Sequence, residues 1–360
     1  MRNHTPSLDR AGRAADVTAT EIVLPGVVEP SGLRTRRRTV GPPGPGQALV
    51  RVEASGVSFA EQQMRRGKYF DQPPFPFVPG YDCVGVVAAV GEGADPSLVG
   101  RRVAALTKVG AWTEALLLDA ADLVPVPEGV DPAEAETLVV NGITAWSMLH
   151  RRAAIRPGQT ILVHGANGGV GSTLVQLARH AGVRVIGTCS PRHAEAVRAL
   201  GAEPVDYRDP DLNARVRALA PAGVDAVFDH IGGPGIVDSW RLLAPGGTLV
   251  SYGSASTRDE AGSSKAPILA LFGRLLWWNL APNGRRATFY NIWAGHRRRR
   301  AFQARLREDL TAVLELLADG VLTAQVAARV PLAEAARAME LAESRTVVGK
   351  VVLVTPAAPR

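Results

Sequence analysis

The sequence predicts an α/β chain that joins a β-rich region to a doubly wound parallel sheet. Three observations carry this. From Glu21 to about Asp122, short apolar runs such as ALVRVEASGV and CVGVVAAVG alternate with Gly and Pro, the texture of strands and tight turns. From about Ile143, strand-like runs (ILVHG, VRVIGT, GVDAVFDHIGG, TLVSYGS) alternate with runs of helical period (TLVQLARHAG, HAEAVRALGA, VDSWRLLAPGG), the order of βαβ units. After about Arg300 come a long amphipathic helix (FQARLREDLTAVLELLADG), a strand, a second helix (LAEAARAMELAES) and a last strand, GKVVLV.

These elements divide the 360 residues into parts. Residues 1–20 are polar, lack the apolar core of a signal peptide and read as a flexible tail. Residues 21–142 and 300–360 form the β-rich domain, with loops at GPPGPG (41–46) and PPFPFVPG (73–80). Residues 143–299 form the parallel-sheet domain, with an apolar insertion near 266–282. The most apolar window, Ile268–Leu280, is too short for a bilayer span and holds Arg274. Hydrophobic residues at 46% and charged residues at 21% are ordinary for a globular chain, and the 37 Gly show no G-X-Y period.

Lys plus Arg minus Asp plus Glu is 41 − 34 = +7. The densest basic runs are Arg297–Arg300 and Arg36–Arg38, read as a solvated helix face and a loop. No zinc-finger, RRM or KH signature accompanies them, so nucleic acid is not an expected partner, whereas a phosphate-bearing small molecule fits. Cys83 and Cys189 are the only cysteines, too few for a disulfide framework or a four-Cys zinc site, and they fit a reducing, cytoplasmic setting.

The turn after ILVHG reads Ala166-Asn167-Gly168-Gly169-Val170-Gly171, a G-x-G-x-x-G fingerprint with Ala for its first Gly. It follows a strand and opens a helix, the context a dinucleotide site requires. Gly168 lets the backbone approach a pyrophosphate, Gly171 lets the helix pack on the sheet, and the free N–H groups bind the negative charge. An NAD site places an acid about 20 residues further on. Here Ser190, Arg192 and His193 stand instead, and Tyr207 follows the next strand. An Arg fork suits a 2′-phosphate, which predicts NADPH.

The motifs FVPGYDCVGVVAAVGEGA (77–94), VNGITAWSML (140–149), LVHGANGGVGSTLVQLAR (162–179), ALGAEPVDYRD (199–209), GVDAVFDHIGG (223–233) and GKVVLV together resemble the medium-chain dehydrogenase/reductase superfamily. The resemblance is to its zinc-free quinone oxidoreductase (zeta-crystallin-like) branch. VNGITAW and Trp277-Trp278-Asn279 look like the vesicle amine transport protein 1 group within that branch. The resemblance implies a GroES-like catalytic domain built from both chain ends, a Rossmann domain between them, and an active site in the intervening cleft. It also implies cofactor contacts at Asn141, Thr144, Gly168, Gly169, Val170, Ser190, Arg192, Tyr207, Tyr252, Gly253 and Lys350. Many relatives carry Lys where His193 stands, so Arg192 compensates. Zinc relatives carry G-H-E where this chain has Gly80-Tyr81-Asp82, and the nearby Cys83 reads as a buried thiol, so no metal is expected.

Hydride transfer without a metal suits acceptors activated by conjugation, quinones and α,β-unsaturated carbonyls (enones). An enoyl-thioester substrate, or a weakly catalytic NADPH-binding interaction protein, are alternatives. Relatives show N-x-x-D before G-x-Y; this chain has Ser58 and Glu61 there and keeps Tyr69. Tyr69 and Ser58 are the candidate donors, with Glu61 a structural acceptor. The Ile268–Trp278 patch is left as a subunit interface, a substrate wall or a surface for peripheral lipid contact. Relatives of this branch are often homodimers, and a homodimer is expected.

Overall fold

The computed structural model of the chain describes residues 16–253, 265–344 and 346–356. It divides into two compact units, Met1–Val140 with Arg299–Arg360, and Asn141–Arg298. The boundaries expected from sequence were 142/143 and 299/300.

Unit 2 is the parallel-sheet unit. Its strands are Thr160–Val163, Arg184–Cys189, Glu203–Asp206, Val224–Asp229, Leu243–Ser251 and Arg286–Phe289, here β8 to β13 in chain order. All pairings are parallel, and the spatial order is β10-β9-β8-β11-β12-β13. Numbered within the unit this is 3-2-1-4-5-6, the Rossmann order, which reverses between β8 and β11. The central strands are fully buried; Ile161, Leu162, Val163, Ala226, Val227 and Phe228 are all 0% exposed. A parallel strand covered by helices on both faces needs such an unbroken apolar run, which is why these segments lack alternation. Helices α4 (Gly169–His180), α7 (Ile236–Arg241) and α8 (Lys265–Leu280) are among the crossovers.

Unit 1 is the GroES-like unit. Seven strands form one mixed sheet in which β3 (Gln47–Val57), β4 (Asp82–Val90) and β5 (Arg102–Leu106) lie side by side. The last strand, β15 (Lys350–Val354), inserts between β3 and β14 (Val326–Pro331). Ser58 starts helix α1 (Phe59–Arg65), and Asp131 caps α2 (Pro132–Thr137) through the Ala133 and Glu134 N–H groups.

Two expectations are corrected. Part of the expected tail is strand: β1 (Val17–Val23) pairs antiparallel with β2 (Arg34–Val40), and residues 1–15 lie outside the described residues. The Arg36–Arg38 run is therefore strand and not loop. Arg36 Nε and Arg38 Nε reach Glu21 at 2.8 and 2.6 Å, and Glu21 is 1% exposed. A cross-strand carboxylate thus organises a basic run that sequence alone reads as solvated. Of the second run, Arg297 and Arg298 precede helix α9 (Arg299–Ala318), which Arg299 and Arg300 open; all four are exposed.

Candidate functional site

In unit 2 the turn after β8 is shaped by what will not fit. Gly165 has φ +65°, and a Cβ there would lie 2.5 Å from His230 Cε1. A Cβ on Gly171 would lie 2.2 Å from the Gly165 carbonyl oxygen, so this position holds the helix against the turn. Gly168 differs. Its nearest neighbour to an added Cβ is at 3.3 Å, and as N-cap of α4 it offers no side-chain acceptor. The first-turn N–H groups of Gly169, Val170 and Gly171 therefore point out of an uncapped helix end, which favours an anion. Ala166 is buried and donates its N–H to the Thr188 carbonyl, tying the turn to β9. Asn141 lies against Gly169, where a Cβ would sit 2.4 Å from Asn141 Nδ2; Thr144 is buried one helical turn further on.

The other predicted contacts gather past the carboxyl ends of the strands, where ligands of open α/β sheets bind. Ser190 follows β9 directly and its hydroxyl is buried with no hydrogen-bond partner. His230 Nδ1, after β11, and Ser251 Oγ, ending β12, are buried and unpartnered in the same way. Three orphaned polar atoms, at the ends of β9, β11 and β12, fit a polar ligand that would complete them. Arg192 is exposed and donates from Nε to His193 Nε2 at 3.2 Å. His193 is buried and, through the bond it accepts, steadies the guanidinium. Tyr207 is 51% exposed, with the Arg208 guanidinium 5.6 Å from its ring centre. Tyr252 donates its N–H to the Asp229 carbonyl, and Gly253 lies close to the His230 backbone. Burial raises the Tyr252 hydroxyl above its usual range and pushes His230 down to about 4, leaving both neutral.

A network behind the turn was not anticipated. Thr188 Oγ1 accepts from Gly165 N at 3.1 Å and lies 3.2 Å from His164 Nδ1. His164 Nε2 lies 3.1 Å from Ser239 Oγ, which donates to Asp229 Oδ2 at 2.7 Å. Serine, histidine and carboxylate are all present, but the serine proton goes to Asp229. The imidazole therefore cannot take it as a general base, and the network ties β8, β9, β11 and α7 together. No sequence pattern marks it, since its members are 75 residues apart at the widest.

In unit 1, Ser58 is a helix cap. Its hydroxyl accepts from Ala60 N at 3.1 Å and donates to Glu61 Oε2, completing a capping box. Both its donor and an acceptor lone pair are used, so the expected donor role for Ser58 gives way to a structural one. Glu61 is buried and takes the Tyr81 N–H on Oε1 at 2.6 Å, as a structural acceptor. Tyr69 is half-buried, and its hydroxyl is 2.8 Å from that of Tyr81. Burial raises the Tyr69 hydroxyl above its usual 10.0, so it stays a proton donor at neutral pH.

Lys350 differs from the expected cofactor contact. It is 4% exposed, and its ammonium lies 2.7 Å from Asp82 Oδ2 and 2.8 Å from Glu136 Oε1. Both carboxylates are 0% exposed. A cation spent on two buried carboxylates has little charge left for a phosphate.

Comparison with known proteins places these features. The family described as alcohol dehydrogenase GroES-like domain matches residues 44–128, and that described as zinc-binding dehydrogenase matches residues 200–353. A solved mycobacterial quinone oxidoreductase is 30% identical, with 93% of this chain and 99% of that chain covered and a TM-score of 0.77. The chain belongs to the medium-chain dehydrogenase/reductase superfamily, in its quinone oxidoreductase branch near the VAT-1 group. The human synaptic vesicle membrane protein VAT-1 homolog is 38% identical over 249 residues, 69% of this chain and 62% of that protein. The match thus spans less than two-thirds of that relative's length. Escherichia coli quinone oxidoreductase, solved with NADPH, is 25% identical, covers 93% of this chain and 99% of that chain, and has a TM-score of 0.81.

One matching description names zinc, and the residues here do not fit it. Tyr81 stands where the zinc relatives' motif has His, and Asp82 is engaged by Lys350. Cys83 is a buried free thiol. Among the described residues no group of three or more His, Cys, Asp or Glu could hold a metal ion.

Proposed function

We propose that the protein is an NADPH-dependent, zinc-independent oxidoreductase acting on quinones or α,β-unsaturated carbonyls. The observation that carries this is the end of β9, where Ser190 Oγ is buried and unpartnered beside Arg192, no acid follows the strand directly, and Asp206 across from Cys189 is already engaged by the Arg208 N–H. A ribose 2′-OH would want a carboxylate there; a 2′-phosphate wants donors. The uncapped α4 terminus supports the pyrophosphate of the same ligand. Gly168, Gly169, Val170 and Gly171 would hold that pyrophosphate, with Ser190 and Arg192 on the 2′-phosphate. Asn141, Thr144, Tyr207, Tyr252 and Gly253 would line the rest.

NADPH, when bound, supplies a hydride. Conjugated acceptors delocalise the resulting charge onto an oxygen, so the protein's task is orientation and donation to that oxygen. Tyr69 is the group suited to donate, since burial keeps it protonated and Tyr81 fixes its hydroxyl. Solvent then restores the tyrosine proton.

The test is a panel of acceptors with purified protein. NADPH oxidation with quinones or free enones, slower with NADH, is expected. A faster rate with enoyl thioesters than with any free enone would replace the substrate class. Saturable NADPH binding without turnover on any acceptor would replace catalysis with an interaction role.

A further inference from the structure

The segment that carries Tyr69 is tied to the rest of unit 1 by side chains. Among the described residues, no backbone–backbone hydrogen bond involves residues 69–76. Phe70, next to Tyr69, is 65% exposed, so the segment gains no core anchor there. What holds it are three contacts. The Tyr69 hydroxyl lies 2.8 Å from that of Tyr81, Phe75 stacks on Phe77 with ring centres 5.5 Å apart, and Asp71 pairs with Lys108. The frame on the far side is tightly bonded. The Tyr81 carbonyl accepts from the Thr107 and Lys108 N–H groups at 2.8 and 3.0 Å, and the Val78 carbonyl from the Gly110 N–H at 2.8 Å. Thr107 Oγ1 donates to the Gly80 carbonyl at 2.7 Å. Tyr81 thus meets Tyr69 through its side chain and Lys108 through its backbone. Lys108 in turn reaches Asp71, two residues past Tyr69, and closes a ring of four residues.

Lys108 occupies a strained position in this ring. Its φ is +68°, and with Ala154 it is one of two non-glycine residues at positive φ among the described residues. Asn or Asp tolerates that backbone through a short polar side chain, and Lys does not. The Asp71 side chain is 72% exposed, and an ion pair so open to water does little for folding. A strained backbone that aims a long cation at the donor's segment therefore points to a use for the side chain. Electrostatics agree. Burial is the main reason the Tyr69 hydroxyl is raised, and the Asp71 carboxylate adds to it. Pairing with Lys108 offsets that charge, so the ion pair bears on the donor's acidity as well as on its place.

We propose that Lys108 is a positioning residue which, through Asp71, holds the Tyr69 hydroxyl in place for donation to the acceptor. This role rests on Tyr69 being the donor, and the variants below separate the two. Lys108→Asn removes the charge and suits the positive φ. Its melting midpoint should equal or exceed that of the parent chain. Its kcat with a quinone or enone should fall about two- to fivefold with little change in KM, the range of one exposed ion pair. Lys108→Arg should restore kcat. In a Tyr69→Phe background Lys108→Asn should lower kcat no further. The chain has five Tyr, so fluorine NMR of the chain labelled with 3-fluorotyrosine, assigned by Tyr69→Phe, reads the donor without turnover. The Tyr69 resonance should shift or broaden in Lys108→Asn and return in Lys108→Arg. An unmoved Tyr69 resonance in Lys108→Asn would overturn the proposal, as would a kcat loss that persists undiminished in the Tyr69→Phe background. Full turnover by Tyr69→Phe, or none by the parent chain on any acceptor, would instead remove Tyr69 as the donor and the positioning role with it.

Discussion

Lys350 and Asp82 stand 268 residues apart in sequence and 2.7 Å apart in the fold, both inside the core of unit 1. Glu136 completes the cluster, and Asp82 also accepts the Val140 N–H at 3.0 Å. Gly56 makes room for it: a Cβ there would lie 2.0 Å from Lys350 Cε. Lys350→Ala leaves two buried carboxylates without their cation, so it should cost about 3–5 kcal/mol. Gly56→Ala should destabilise the same unit by displacing the ammonium. Urea unfolding of each variant measures both, and a Lys350→Ala loss under about 1 kcal/mol would contradict this role.

The cluster holds more acid than base. Burial first, then the Asp82 charge, raise both Glu136 and Glu61 above the usual 4.5. A carboxyl raised in the folded state contributes stability that is complete below its unfolded value and is lost as pH rises through its folded value. The stability of unit 1 should therefore fall as pH climbs from about 4.5. Glu136→Gln should recover part of that loss near pH 8 and nothing near pH 4. Urea midpoints across this range give the answer; an equal gain at both ends would exclude a titration effect.

Gly168 and Gly171 separate binding from folding. An added Cβ at Gly171 meets a backbone carbonyl at 2.2 Å, whereas at Gly168 the nearest atom is at 3.3 Å and the rest is open. Gly171→Ala should lower the melting temperature. Gly168→Ala should keep it close to the parent value while weakening NADPH about tenfold or more, by filling the space for a pyrophosphate. Calorimetric titration with a thermal melt reads both. Unchanged NADPH affinity in Gly168→Ala would remove the turn from the cofactor site.

Arg192 should discriminate between cofactors. Arg192→Ala should weaken NADPH by about 10–100-fold and NADH little, the value of one charge-assisted contact. Parallel losses for the two nucleotides would show that the guanidinium does not meet a 2′-phosphate. His193→Ala should give a smaller loss of the same kind, since it removes the acceptor at 3.2 Å that orients Arg192.

Tyr69→Phe should lower kcat by about 10²-fold with little change in KM. Because burial raises this hydroxyl above 10.0, the donor form persists as pH rises, and kcat should show no alkaline limb attributable to Tyr69 below pH 10. Tyr81→Phe removes the partner at 2.8 Å and should cost less. A Tyr69→Phe variant with full turnover would move the donor elsewhere.

The parallel sheet and its phosphate turn were legible because local patterns encode them. Buried strands read as apolar runs, and the glycine spacing repeats what a pyrophosphate needs from a backbone. The strand role of Val17–Thr20 was not legible, since four short polar and apolar residues acquire meaning only opposite Arg37–Val40. The cap role of Ser58 was within reach, for Ser-x-x-Glu before a helix is a capping box. The pairing of Tyr69 with Tyr81 and of Lys350 with Glu136 was not, because each joins side chains from elements whose contact only the folded sheet determines. Glu136 in particular sits on a short helix with Glu134, and nothing local says which of the two is buried.

The placement of β15 between β14 and β3 should order events on the ribosome. Unit 2 is one uninterrupted stretch and can close as soon as its own residues emerge, whereas unit 1 must keep the edge of β3 exposed until residue 354 has been translated. Nascent chains stalled before Lys350 should therefore carry a protease-resistant nucleotide module beside an unfinished amino-terminal one.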